Sequence, residues 1–69
     1  MPVLNTIELE GVSESSWGDA AREALREAAK TIRNIQKLEV LDTATEVEND
    51  QIVRYRTHVR LYFQVEESR

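Results

Sequence analysis

Cationic side chains recur at every second position near the end of the chain. In the stretch VRYRTHVRLYFQV, residues 53–65, the even-numbered positions include Arg54, Arg56, His58 and Arg60. Alternation with a period of two is typical of a β-strand, so these side chains are predicted to share one face of a strand. Guanidinium groups in such a row pair with carboxylates or phosphates. The row therefore indicates a solvated face, a surface that packs on other subunits, or a surface for a ligand.

Carboxylates that could neutralise the row lie earlier in the chain. Glu8, Glu10 and Glu39 occur in segments that also alternate between apolar and polar positions. Strand parity places Lys37 and Arg56 together on the outer face of the predicted sheet. Because interfacial charges are normally paired, internal ion pairs are the first interpretation of these cations. An anionic ligand is the alternative.

Two other groups of side chains could bind a ligand. Glu46, Glu48 and Asp50 are bunched and could offer oxygen ligands to calcium or magnesium, but they lack EF-hand spacing, so a solvated hairpin is the preferred interpretation. His58 could sense pH or contact a ligand, although packing in a subunit interface is the more common role for such a histidine. No nucleophile, base and orienting acid are suggested together, so the chain is predicted not to be an enzyme.

Composition limits the class of protein. The chain has 69 residues, no cysteine, one histidine and a net charge of −4. One domain, residues 1–69, is predicted, and its few aromatic residues indicate a thin core that oligomerisation would complete. The absence of cysteine excludes disulfides and thiolate metal sites. Negative charge disfavours nucleic acid, and with no apparent membrane span or signal peptide the predicted location is the cytoplasm.

Local patterns predict the first strand and the start of a helix. Residues 3–10 alternate as a strand that Gly11 is expected to end. Ser16 with Asp19 resembles a capping box at the helix start, and Ser13 is the alternative cap.

A helix and two further strands follow. The helix has an apolar stripe, in which Trp17 is predicted to lie in the core. The stripe comprises Trp17, Ala20, Ala21, Ala24, Leu25, Ala28, Ile32 and Ile35. Strands are predicted at 37–47 and 53–65, joined by the turn sequence ENDQ. The order is β-α-β-β, an α+β fold whose three-stranded antiparallel sheet closes over one helix.

Four segments in this order resemble the dodecin family. They are ELEGVSESSW, the helix end AAKTIRNI, the strand LEVLD and the closing stretch YRTHVRLYFQVE. The resemblance implies a three-stranded antiparallel sheet wrapped around one helix and a hollow homododecamer. It also implies a non-enzymatic protein that stores or sequesters flavins such as riboflavin, FMN or lumichrome.

The resemblance also implies candidate flavin-binding residues. The family's ring-stacking tryptophan corresponds to Lys37, and its ring-binding glutamine corresponds to Arg56. The family's aspartate and glutamate are kept as Asp42 and Glu46. Strand parity puts these two acids on the opposite face from Lys37 and Arg56, so a shared pocket requires a bulge or a bend in the second strand.

The two replacements weaken the predicted flavin site. Loss of one stacked aromatic removes about 1–3 kcal/mol, by analogy with nucleobase stacking. Arg56 could still donate to ring carbonyls or stack on a flat ligand. The alternative function is a dodecin-fold shell that no longer binds flavin and is structural, or carries another anion such as coenzyme A or a nucleotide phosphate, or a metal ion.

Overall fold

Four elements follow one another in the computed structural model, which describes residues 3–65. They are strand β1 (Leu4–Ser13), helix α1 (Trp17–Ala29), strand β2 (Ile35–Glu48) and strand β3 (Gln51–Gln64). This order confirms the predicted β-α-β-β arrangement. Residues 1, 2 and 66–69 of the predicted domain lie outside the described residues.

Helix α1 begins at a serine cap, as predicted. The Ser16 side chain accepts a hydrogen bond from the backbone N–H of Asp19 at 3.0 Å. Within the helix every buried residue is an alanine: Ala20, Ala24 and Ala28. These small side chains allow the helix axis to approach the sheet closely. The predicted stripe ran too far, because the helix ends at Ala29 and Ile35 already begins β2.

Gly11 does not end the first strand. Strand β1 continues to Ser13, and Gly11 is buried where the strand passes under α1. A Cβ atom at this position would overlap the backbone carbonyl oxygen of Ala20 and lie 3.2 Å from the Ala24 Cβ. The glycine is therefore explained by close approach of helix and strand.

The three strands form one antiparallel sheet in the order β1-β3-β2. Helix α1 packs mainly against β1 and β3 and barely contacts β2. The face of the sheet towards α1 is called the inner face, and Thr57, Val59 and Leu61 of β3 are fully buried there. This confirms that the odd-numbered face of β3 is the buried one, although burial is complete only in its middle and Val65 is 47% exposed.

Strands β2 and β3 are joined by a tight two-residue turn. Glu48 pairs with Gln51, and the intervening Asn49 and Asp50 have φ angles of 51° and 63°. Positive φ at both central residues is the requirement of a type I′ hairpin turn, which Asn and Asp tolerate better than most residues. The ENDQ turn was predicted correctly.

Strand β2 contains irregularities that change which side chains share a face. Its pairing with β3 shifts between Ile35 and Lys37 and again between Val40 and Asp42. Before the second shift Lys37 and Glu39 lie on the outer face, and after it the even-numbered residues do. Of the two irregularities that a shared face would require, a bulge or a bend, strand β2 has a bulge, at Leu41.

Within residues 3–65, helix α1 is neither long enough nor apolar enough to span a membrane.

Candidate functional site

The outer face of the sheet carries the charged row. Central strand β3 presents its even-numbered side chains between the two flanking strands, β1 and β2. Carboxylates on both flanking strands meet them: Glu8, Glu10, Glu39, Asp42 and Glu46. Each arginine of the row is therefore paired within one chain.

Two of the predicted ligand residues meet at one end of this face. The Arg56 guanidinium pairs directly with Glu46 and also donates to Glu10 at 3.4 Å. Arg54 donates to the second oxygen of Glu46 at 3.0 Å. The hydrogen bond to Glu10, together with the charge of Glu46, raises the pKa of Arg56. Arg56 is thus a fixed cation held by two carboxylates.

A second ion-pair cluster lies further along the sheet. Arg60 donates to Glu8 at 2.9 Å, and it lies 3.6 Å from Glu39. The Tyr62 hydroxyl donates to Glu39 at 2.7 Å. These contacts join all three strands. The hydrogen bond from Arg60 lowers the pKa of Glu8, and the charges of Arg60 and His58 act in the same direction.

His58 lies between the two clusters. Its Nε2 is 3.3 Å from Glu8, and its Nδ1 is 3.9 Å from Asp42. The Asp42 side chain remains 75% exposed. Of the carboxylates on this face, Asp42 is thus well placed to accept hydrogen bonds from a ligand.

Lys37 lies on the same face but far from Arg56. Lys37 pairs with Tyr62, whereas Arg56 pairs with Ala44. Tyr62 and Arg56 are six positions apart on β3, which corresponds to about 20 Å at the rise of a strand. The shared face predicted from parity is therefore present, but one chain does not bring the two cations into one pocket.

Tyr62 makes a contact with Lys37 that was not predicted from the sequence. The Lys37 ammonium lies 4.3 Å from the centre of the Tyr62 ring, a cation–π contact. Tyr62 is one of the even-numbered residues of 53–65, which share the outer face. Only the register of β2 against β3 reveals that it lies beneath Lys37.

Trp17 is not a core residue within one chain. Its side chain is 43% exposed, its indole N–H donates to the carbonyl oxygen of Ala44 at 3.0 Å, and its ring meets Tyr55 edge-on. The prediction of a core position was wrong because Trp17 begins the helix, over the part of the sheet where β1 ends.

No group of three or more histidine and carboxylate side chains is arranged for a metal ion within residues 3–65. Glu46, one of the acids weighed as a metal ligand, is occupied by two arginines.

Comparison with known proteins identifies the family of this chain. The family model described as Dodecin matches residues 3–66. This chain belongs to the dodecin family. Among curated protein sequences, none matches it.

Solved dodecin structures share the whole fold. A variant of Thermus thermophilus dodecin is 30% identical, with a TM-score of 0.92 over 97% of this chain and 100% of that chain. Streptomyces coelicolor dodecin is 27% identical, with a TM-score of 0.92 over 97% and 96% of the two chains. A calcium dodecin from Mycobacterium tuberculosis, described as calcium chelating with a novel calcium-binding site, is 27% identical, with a TM-score of 0.82 over 97% and 96%.

Acid is expected to destabilise this dodecin in part through Glu8. The pKa of Glu8 is lowered in the folded state, chiefly by the hydrogen bond from Arg60. Its stabilising contribution is therefore complete above the ordinary pKa of 4.5 and is lost as the pH falls through the lower folded-state value. We expect the urea midpoint of Glu8→Gln to fall less than that of the wild type between about pH 6 and pH 3.

Glu14 provides the control for this measurement. It is exposed and makes no ion pair with any residue of 3–65. Glu14→Gln should keep the wild-type dependence on pH. An identical dependence for Glu8→Gln and the wild type would contradict the role of Glu8.

Proposed function

We propose that this chain assembles into a hollow homododecamer that binds flavin-type ligands between subunits, without catalysing a reaction. The supporting observation is the spacing of Lys37 and Arg56 on the outer face, about 20 Å at the rise of a strand. Residues that correspond to one ring-binding site in the family can meet around one ligand only if two chains contribute. Membership of the dodecin family supports the same arrangement. The cytoplasmic location stays a prediction.

Exposed apolar surface supports assembly. Helix α1 leaves the inner face of β2 open, so Val40 is 52% exposed although it lies opposite the fully buried Val59. Further exposed aliphatic side chains lie at both ends of the molecule: Val3, Leu4, Val47 and Ile52. Such surface on a small chain favours contact with other subunits.

The outer face has groups that suit a planar polar ligand. Tyr62 offers an aromatic surface, Arg56 offers guanidinium donors, and Asp42 offers a solvent-accessible acceptor. These are the functional groups that a flavin ring and its hydroxylated side chain require. The four residues proposed to bind the ligand are Lys37, Asp42, Glu46 and Arg56.

The contacts that Arg56 and Lys37 make within one chain are expected to weaken flavin binding. Arg56 already binds Glu10 and Glu46, and Lys37 already covers the Tyr62 ring. A flavin must displace or share these partners, so part of its interaction energy is offset. We therefore expect affinity below that of a dodecin with tryptophan and glutamine at these positions.

A second candidate function is favoured by the ion pairs that the outer-face arginines make within one chain. If the arginines remain bound to Glu8, Glu10 and Glu46, the shell is structural or carries a different ligand. The candidates are an anion such as coenzyme A or a nucleotide phosphate, and a metal ion. The description of the M. tuberculosis relative as calcium chelating makes calcium the first metal to test.

The assembly has a direct prediction. Twelve chains of 8.0 kDa give a particle of about 96 kDa. Sedimentation equilibrium of the purified protein should return that mass. A mass near one chain would overturn the proposed assembly.

Flavin binding is tested by fluorescence quenching. Riboflavin, lumichrome and FMN are titrated with flavin-stripped protein, and saturable quenching is expected. Stronger quenching of FMN than of riboflavin would assign a role to the phosphate. If a particle of the expected mass quenches none of them, the second candidate stands, and calcium and coenzyme A become the next ligands in the titration.

A further inference from the structure

A groove opens between the end of helix α1 and the start of strand β2. Its volume is about 500 Å³, and Leu25, Ile32, Ile35 and Leu38 supply its apolar lining. Arg33 and Lys37 also line it, and no carboxylate does so among the described residues 3–65. The groove is therefore apolar and cationic at once.

The opposite end of the molecule has the complementary character. We call residues 47–52 the hairpin tip. Val47 and Ile52 pair with each other there and are 59% and 54% exposed. Glu48 and Asp50 are exposed beside them, and neither makes an ion pair within the described part of the chain, 3–65. The hairpin tip is therefore apolar and anionic at once.

One chain cannot bring these two regions together. The groove lies at the start of β2 and the tip at its end, a separation of about 40 Å along a strand of this length. The molecule is 57 Å long, and the 13-residue helix covers only about 20 Å of it. Any hairpin tip that fills the groove must belong to another copy.

We propose that the hairpin tip of one subunit docks in the groove of the next, with Val47 and Ile52 against the apolar lining and Glu48 and Asp50 towards Arg33. Each subunit supplies one tip and one groove, so the contact is heterologous. A heterologous contact repeats until a rotation closes it into a ring. This inference rests on the proposed assembly and names one of its interfaces.

Cysteine cross-linking tests the contact directly, because the natural chain contains no cysteine. The double variant Arg33→Cys with Glu48→Cys cannot form the disulfide within one chain, since bridged Cα atoms lie within about 7 Å of each other. Mild oxidation should therefore give disulfide-linked dimers and higher species on a non-reducing gel. The matched control is Arg22→Cys with Glu48→Cys, because the Arg22 side chain is 72% exposed on the helix. The control should remain a single chain.

Charge reversal provides an independent measurement. Arg33→Glu and Glu48→Lys each place like charges together, so each should raise at least fivefold the protein concentration at which half of the oligomer has dissociated. In the combined variant the charges are opposite again, and this concentration should return to within about twofold of the wild-type value. Position 33 is used because Lys37 belongs to the proposed ligand site. An oligomer of wild-type mass that shows neither cross-linking nor charge rescue would overturn this inference alone. A monomeric wild type would overturn the proposed assembly with it.

Discussion

Replacing Gly11 with alanine is expected to remove at least about 3 kcal/mol from the free energy of unfolding. The new Cβ would overlap the backbone carbonyl oxygen of Ala20, which cannot move unless α1 moves away from β1. That displacement would also open the contact of Ala24 with the sheet. Because a small domain has only about 5–15 kcal/mol in total, a large unfolded fraction is expected. Urea denaturation followed by far-UV circular dichroism measures the loss.

Gly18 is the matched control, since it receives the same added methyl group in a different setting. A Cβ at Gly18 would have the Arg22 side chain 3.7 Å away, which is ordinary contact. Gly18 lies within α1 and has a helical, not a left-handed, backbone. Gly18→Ala should therefore stabilise the protein by about 0.5–1 kcal/mol. Equal effects at the two positions would contradict the proposed role of close packing at Gly11.

Restoring an aromatic surface is expected to give the largest gain in ligand affinity. Lys37→Trp combined with Arg56→Gln should strengthen flavin binding at least tenfold, since one stacked ring is worth about 1–3 kcal/mol. The second change also frees Glu10 and Glu46 from Arg56 and supplies an amide that can both donate and accept hydrogen bonds. Riboflavin quenching by the double variant and by the wild type measures the change.

Two further variants separate stacking from simple loss of charge. Lys37→Ala removes the ammonium without adding a ring, so it should not reproduce the gain. Arg56→Gln alone tests the hydrogen-bonding position. If the double variant titrates like the wild type, the geometry of the site between subunits differs from that of flavin-binding dodecins, and its lining is not the cause of weak binding.

Most of the fold follows from local patterns in the sequence. The period of two in 53–65 correctly identified the buried face of β3. Apolar residues such as Val59 and Leu61 occupy its odd-numbered positions, whereas most even-numbered positions are polar. Ser16 was identified as a cap because a serine before a helical pattern satisfies a free backbone N–H. The ENDQ turn followed from residues that tolerate positive φ.

Features that depend on packing between elements were harder to predict. The end of β1 was misplaced because Gly11 was interpreted as a terminator, when it is required by the approach of Ala20. Trp17 matched the helical stripe, but spacing does not show where the sheet stops beneath a helix.

The candidate site was predicted only in part. Parity correctly placed Lys37 and Arg56 on one face, and the bulge at Leu41 brings Asp42 and Glu46 there too. Parity predicts which face a side chain lies on but not how far apart two side chains on that face are. The distance between Lys37 and Arg56 could therefore be found only from the register of β2 against β3. The pairing of Arg56 with Glu46 depends on that same register.

The strand order has a consequence for biosynthesis. The central strand β3 follows both of its neighbours in the chain, so it leaves the ribosome after them. Until it emerges, β1 and β2 have no sheet partner, and their backbone groups are open to pairing with other chains. The hairpin can then form within microseconds, whereas β1 must close across the helix. Aggregation of the nascent chain is therefore favoured in the interval before β3 is available, and slower translation of its codons would lengthen that interval.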